Sequence, residues 1–391
     1  MKKILLATCL SLASTGLTFA QEGIYQFADP GFEQYTSGNE PGNGWNSFAS
    51  ATGSLSNFKG NSPQASSYSP GANGSKYAVQ IYSKSILGQK ANGNLTTGVI
   101  NMGNMSPANS ANYNFTRRSD ATHSLRFAGR PDAVTFYAKF SSGGSPNGRA
   151  QFILHDDCDY RDPEIGEQAG NRIGKASVAI PASSDWVKYE GKFSYDKAQT
   201  SVQYLLASVT TNPTAGGSSG DYLQIDEIRF VYYNTLSSLS YQGANIGFSE
   251  SKTSYDLSTT AFENSKLYYA VKGAGATAEH TYDAETGLLT ITVKGNDYRV
   301  NNANQTVYTI RFAAGGTSSS SSVGDKVSSP AEISMLKTYL LYNAHFTTYA
   351  IYNDKHSETA LWTAGMTGDD THAVSSSTYT EPVDITSPGS S

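Results

Sequence analysis

Between positions 156 and 164 the chain carries five carboxylates, Asp156, Asp157, Asp159, Asp162 and Glu164, with His155 before them and Cys158 among them. Two chemistries draw on such a cluster. Glycoside hydrolysis needs one protonated carboxyl and one base or nucleophile at a set separation. A thiol beside an imidazole can serve as a nucleophile. Spacing along a loop sets no separation between carboxyls, and no Gly-x-Ser-x-Gly elbow or comparable oxyanion motif accompanies Cys158. A calcium loop of the EF-hand type needs regular acidic spacing and a central glycine, and this run has neither. The other histidines, at 123, 280, 345, 356 and 372, lack His-x-x-x-His and His-Glu-x-x-His spacing. A solvated acidic loop is the favoured reading.

Aromatic rings offer a different chemistry. Tyr and Trp present an apolar face with a polar tip, which suits stacking on the C–H faces of a sugar. Trp45, Tyr68, Tyr113, Phe115 and Tyr160 stand in loop-like surroundings. Loop packing is the competing reading for each. Trp186 heads an alternating strand and is expected in the core. Arg130 could supply a ligand-facing cation, or pair with a loop acid.

These side chains must be positioned by strands. Short Tyr/Val/Ile/Thr runs between Gly, Asn, Ser and Pro clusters predict an all-β chain. Strands are expected at 76–82, 93–100, 133–140, 149–155, 186–195, 202–209 and 221–233. About nine strands over roughly 210 residues suit a jelly-roll sandwich. The run at 202–209 is apolar enough for burial on both faces. Asp226 lies inside the strand at 221–233, an acid that needs a reason. A second unit, 236–313, predicts strands at 239–243, 266–271, 288–293 and 307–312, with a hairpin turn at 285–287. Its size is that of an immunoglobulin-like sandwich. A Gly/Ser linker follows at 314–330, then a tail at 331–391 with no assignable fold and polar, disordered character from Thr363 onward.

Residues 1–20 have the form of an export signal: Lys2 and Lys3, an apolar stretch, and a small-x-small site ending at Ala20. Thr8 before Cys9 does not suit a lipoprotein signal, and no segment is apolar enough for a membrane span. The expected location is therefore periplasm, cell surface or medium. Loss of the signal would leave 26 basic against 33 acidic residues, a charge of −7, which argues against a nucleic-acid partner. Only Cys158 would remain, so burial and not a disulfide must stabilise the fold.

Several motifs occur in a telling order: Gly31-Phe32-Glu33, Gly44-Trp45, the run Gly74 to Val79, Gly98 after Leu95, the run Phe127 to Pro131, Trp186, and the run Gly220 to Ile228. As an ordered set over 25–235 they resemble the carbohydrate-metabolism (PCMD) domain of exported Bacteroidetes proteins. Leu236, Leu239, Tyr255 and the run Tyr308 to Phe312 resemble the small sandwich often paired with it. The resemblance implies a jelly roll similar to carbohydrate-binding modules and a sugar context without a defined reaction. Related modules hold a structural Ca²⁺ with a Gly-Phe-Glu glutamate and an aspartate of the last strand, which here are Glu33 and Asp226. Both could instead be exposed, or bind backbone amides or Lys76. Three functions are then open: non-catalytic glycan binding, a glycoside hydrolase built from carboxylates of different loops, and a structural or adhesive subunit with surface-assembly partners.

Overall fold

The computed structural model describes residues 23–314 except Gln199, together with a two-residue ladder of Tyr352–Asn353 against Val383–Asp384. The signal at 1–20, almost all of the linker and the remainder of the tail lie outside the described residues.

In chain order the first strands are β1 (Ser66–Tyr68), β2 (Ala78–Tyr82), β3 (Lys84–Ile86), β4 (Gln89–Ala91), β5 (Asn94–Thr96), β6 (Val99–Met102), β7 (Asn112–Phe115) and β8 (Leu125–Arg126). They continue as β9 (Ala133–Ser141), β10 (Gly148–His155), β11 (Arg161–Asp162), β12 (Arg172–Ile180), β13 (Ser183–Lys192), β14 (Ser194–Tyr195), β15 (Tyr204–Thr210) and β16 (Tyr222–Val231). One sheet has the order β1-β2-β16-β9-β13, and the facing one β14-β12-β10-β15-β5. This is the expected jelly-roll sandwich. Alternation builds its core: Val134, Phe136, Ala138 and Phe140 of β9 point inward against Ala150, Phe152 and Leu154 of β10.

Every residue of β15 is buried, as its apolar run predicts. Its outer side is covered because Tyr160 packs over Ile153 and Leu206. A small sheet, β11-β7-β6, stands beside that cover. The strand β12 was not expected. Its inward residues Ile173, Ala176 and Ile180 are spaced by Gly174, Lys175 and Ser177, so its apolar signal is dilute.

A second core runs from Leu236 to Phe312. It joins β17 (Leu236–Tyr241) and β19 (Leu267–Val271) to a four-stranded sheet. That sheet has the order β18 (Ser254–Leu257), β22 (Gln305–Phe312), β21 (Leu288–Lys294), β20 (Thr277–Asp283), with β18 parallel to β22. The two cores meet through polar contacts. Asp132 accepts the N–H groups of Tyr233 (2.6 Å) and Ala274 (2.7 Å). Asn296 accepts the Arg130 N–H at 2.7 Å, and Asn304 donates to the Tyr232 carbonyl at 3.1 Å. No helix among the described residues is long and apolar enough to cross a membrane.

Phe230 is the hub of the first core, with ring centroids of Phe27, Phe127 and Phe152 at 5.3, 4.9 and 6.0 Å. Phe230→Ala should cost about 3–5 kcal/mol, read as an earlier denaturant midpoint. A loss below about 1 kcal/mol would mean the ring is dispensable.

Candidate functional site

The acidic loop is a set of ion pairs. Asp156 lies 3.8 Å from Lys197, Asp157 and Asp159 lie 3.2 and 3.0 Å from Arg118, Asp162 lies 3.3 Å from Arg149, and Glu164 lies 2.6 Å from Arg172. Burial alone would raise the Glu164 carboxyl, but the nearby Tyr160 hydroxyl and the Arg172 guanidinium, bonded at 2.6 Å, bring it below the ordinary range. A general acid needs the opposite shift. Beside the loop, His155 is fully buried and burial lowers its pKa to about 4. Its Nδ1 bonds the Asp156 carbonyl at 2.8 Å and its Nε2 meets the Thr116 hydroxyl at 2.9 Å. Burial pushes the Cys158 thiol up to about 12. Although Asp156, His155 and Cys158 cluster closely, a neutral ring with both nitrogens engaged and a protonated thiol make neither a nucleophile nor a ready metal site.

The rings expected in loops divide into two groups. Trp45 and Tyr160 are sealed from solvent and cannot stack on a sugar. A turn at Gly42–Trp45 folds the indole onto Phe27 and Phe32, and Tyr160 stacks on His155 at 4.9 Å. Arg130 is also not a ligand-facing cation. Its guanidinium donates to the Thr200 and Lys197 carbonyls and covers the Tyr195 ring at 4.3 Å. Tyr68, Tyr113 and Phe115 lie on strands and are half-buried. Trp186, expected in the core, is also half-buried and packs edge-on against Tyr68.

Tyr113 and Phe115 stand on β7, their rings 5.5 Å apart. Tyr113 lines a cleft of about 600 Å³ between the second sheet and the β6–β7–β11 sheet. Arg149, Thr210 and Asn94 occupy one register level across β10, β15 and β5 beneath it. Asn94 and Asn114 exchange amide hydrogen bonds at 2.9 and 3.2 Å. Phe58, Met102 and Tyr113 line it as apolar surfaces, with the Arg161 guanidinium 3.8 Å from the Tyr113 ring. Amides among apolar surfaces suit a ligand with both hydroxyls and C–H faces. Only Tyr113 of this group was singled out from the sequence. Asn94 stands on the strand expected at 93–100 but carried no signal as a ligand group, and β7, which carries Asn114, was not expected.

Glu33 and Asp226 both use backbone amides. Glu33 Oε1 accepts from Ser75 Oγ (2.5 Å) and the N–H groups of Lys76 (2.8 Å) and Tyr77 (3.0 Å), and the Ser75 bond leads in lowering its pKa. Asp226 is fully buried where β16 bulges, and its oxygens accept from Ala72 (2.7 Å) and Glu227 (2.8 Å). Ser75 also contacts the Gly31 and Tyr77 carbonyls. A Cβ at Gly71 would strike both the Tyr77 carbonyl oxygen and Asp226 Oδ2, so these oxygens crowd one point. Oxygen-only donors of this kind fit a hard cation, and among the described residues no cation pairs with either carboxylate.

No family model matches the chain, and no curated protein matches it. Solved structures do. The module TmCBM61 in complex with β-1,4-galactotriose is 13% identical over 51% of this chain and 93% of its own, with a TM-score of 0.25. The K2 cleaved adhesin domain of Lys-gingipain is 12% identical over 53% and 97%, at 0.26. The CBM22-1–GH10 modules of a Clostridium thermocellum xylanase, complexed with xylohexaose, are 10% identical over 54% and 28%, at 0.25.

Burial raises the Asp226 carboxyl from 3.8 to about 7. Such a group stabilises the metal-free fold fully below its unfolded pKa, and the contribution is lost as pH rises through the folded value. The melting temperature of metal-free protein should therefore fall between about pH 4 and pH 7. Asp226→Asn should flatten that slope and start lower, since its amide nitrogen must face one of two backbone donors. An unchanged slope in the variant would assign the titration elsewhere.

Proposed function

We propose that the chain is an exported, non-catalytic glycan-binding protein whose first domain holds a sugar chain in the Tyr113 cleft. The observation that carries this is the cleft itself: the mutually bonded Asn94 and Asn114 amides and Arg149 below, rings and methionine beside them. The Arg149 guanidinium pairs with Asp162, and its Nε is sealed from solvent. The site thus offers hydrogen-bonding capacity without a large net charge. The neutralised acidic loop weighs against hydrolysis, because each carboxylate that could work as acid or base is already paired. The expected export signal at 1–20 and the PCMD-like motif order are consistent with a protein that meets polysaccharide outside the cytoplasm. A surface-assembly role is not needed to account for the cleft.

We further propose that Ca²⁺ is bound by Glu33 and Asp226 with the Gly31 and Tyr77 carbonyls. Its part is structural. It would tie the N-terminal segment to the last strand and offset the cost of burying Asp226.

Binding is tested on a glycan array with the full chain. Tyr113→Ala should weaken capture at least tenfold, with the melting temperature nearly kept. Capture that survives unchanged, or release of sugar products, would overturn the reading. For the metal, chelator should lower the melting temperature and added Ca²⁺ restore it. Glu33→Gln should remove that response while keeping its backbone bonds, because Oε1 alone makes them. A chelator without effect would sink the calcium site.

A further inference from the structure

The sheet opposite the cleft has an outer face of its own. Ser66, Gln80, Gln224 and Lys139 form one row across β1, β2, β16 and β9, each the direct register partner of the next. Gln224 donates to Gln80 at 2.7 Å, while Gln80 reaches Ser66 only at 3.5 Å. Rings flank the row. On one side Tyr82 and Tyr222 are register partners with centroids 6.0 Å apart, and Tyr222 is 42% exposed. On the other, Tyr68 and Trp186 meet edge-on at 6.3 Å. The face carries a polar row between two aromatic pairs.

Its donors exceed its needs. Lys139 Nζ lies 5.1 Å from the Tyr68 ring centre and 4.8 Å from that of Trp186, with one long bond of 3.3 Å to the Tyr68 hydroxyl. No carboxylate pairs with it among the described residues. The Gln80 amide nitrogen is barely engaged, while Trp186 Nε1 is sealed from solvent and adds nothing to the surplus. An ammonium has three donors and no acceptor, whereas an ionised carboxylate only accepts. The surplus is complementary to a carboxylate, and the flanking rings are complementary to the C–H faces of a sugar.

We infer that this face is a second glycan site that takes a uronate-bearing chain, with its carboxylate at Lys139 and sugar rings against Tyr222 and Tyr68. It lies on the sheet that faces away from the Tyr113 cleft, so one molecule can hold two glycan chains at once. The overall negative charge of the protein opposes a polyanion at long range. Selectivity must therefore come from contact at Lys139. The inference rests on the reading of this domain as a sugar binder but not on the cleft.

The test is calorimetric titration of the full chain with a galacturonate hexamer and with its carboxyl-reduced counterpart, at one fixed free-calcium concentration. The acidic hexamer should bind at least tenfold tighter. Lys139→Met should erase that difference, Tyr222→Ala should weaken both by several-fold, and Tyr113→Ala should leave the uronate preference intact. Melting temperatures and cleft-ligand capture by the Lys139 and Tyr222 variants report that they are folded. Equal affinity for the two hexamers, no binding of either, or a preference lost with Tyr113→Ala would overturn the proposal. Loss of array capture in Tyr113→Ala with the uronate preference kept would uphold both sites separately.

Discussion

The structure depends on accommodating an acid in the middle of a sheet. β16 lies between β2 and β9, so its side chains alternate between the core and the outer face. Leu223, Ile225, Ile228 and Phe230 supply the core, and Asp226 falls between them with no exposed surface. A carboxylate in that position is costly unless its oxygens are bonded. The bulge at Glu227, with φ of +52°, turns the Glu227 N–H onto Asp226, and the Gly71–Ala72 segment brings a second N–H. Gly71 has to be glycine because a Cβ would strike the oxygens it approaches. The same bulge frees backbone groups that the N-terminal segment uses. Pro30 accepts from Ile228, and the Gln26 amide bonds both backbone groups of Phe230. One buried acid thus explains the bulge, a glycine and the course of the N-terminal segment.

The long strands were legible where one face is richly apolar. β9, β10, β15 and β16 each bury bulky side chains, and their runs read directly as strands. β12 was not legible, because Gly174, Lys175, Ala176 and Ser177 separate Ile173 from Val178 and Ile180 and dilute its apolar signal. β20 failed for a different reason. Its burial pattern alternates between exposed and half-buried, and His280 and Tyr282 interrupt polar residues at an edge that needs little apolar content. Periodicity reports the contrast between two faces, and at both strands that contrast is weak.

The candidate site was less legible than the fold. Ring type could be read, but exposure could not. Trp45 and Tyr160 stand in irregular segments, yet each covers apolar side chains that would otherwise meet water. Tyr222 was read only as part of a strand, although it has the open ring. Gln80, Gln224 and Lys139 are far apart in sequence and become neighbours only through strand register. Asp226 was visible because an acid within an apolar strand conflicts with its surroundings, and such conflicts mark places where something specific is required; Glu33 was visible only through the Gly-Phe-Glu resemblance.

The junction between the two sandwiches has a mechanical consequence. Tyr232 and Tyr233 leave β16 and enter the second unit without a slack connector, and Asp132, Asn296 and Asn304 clamp the crossing from both sides. A pull on the second sandwich would load these hydrogen bonds together and not one after another. The force would then pass into β16, whose pairing with β2 and β9 runs along the strand and resists in shear. A pull on either sandwich would thus reach the other through β16 and these bonds and not through a slack linker.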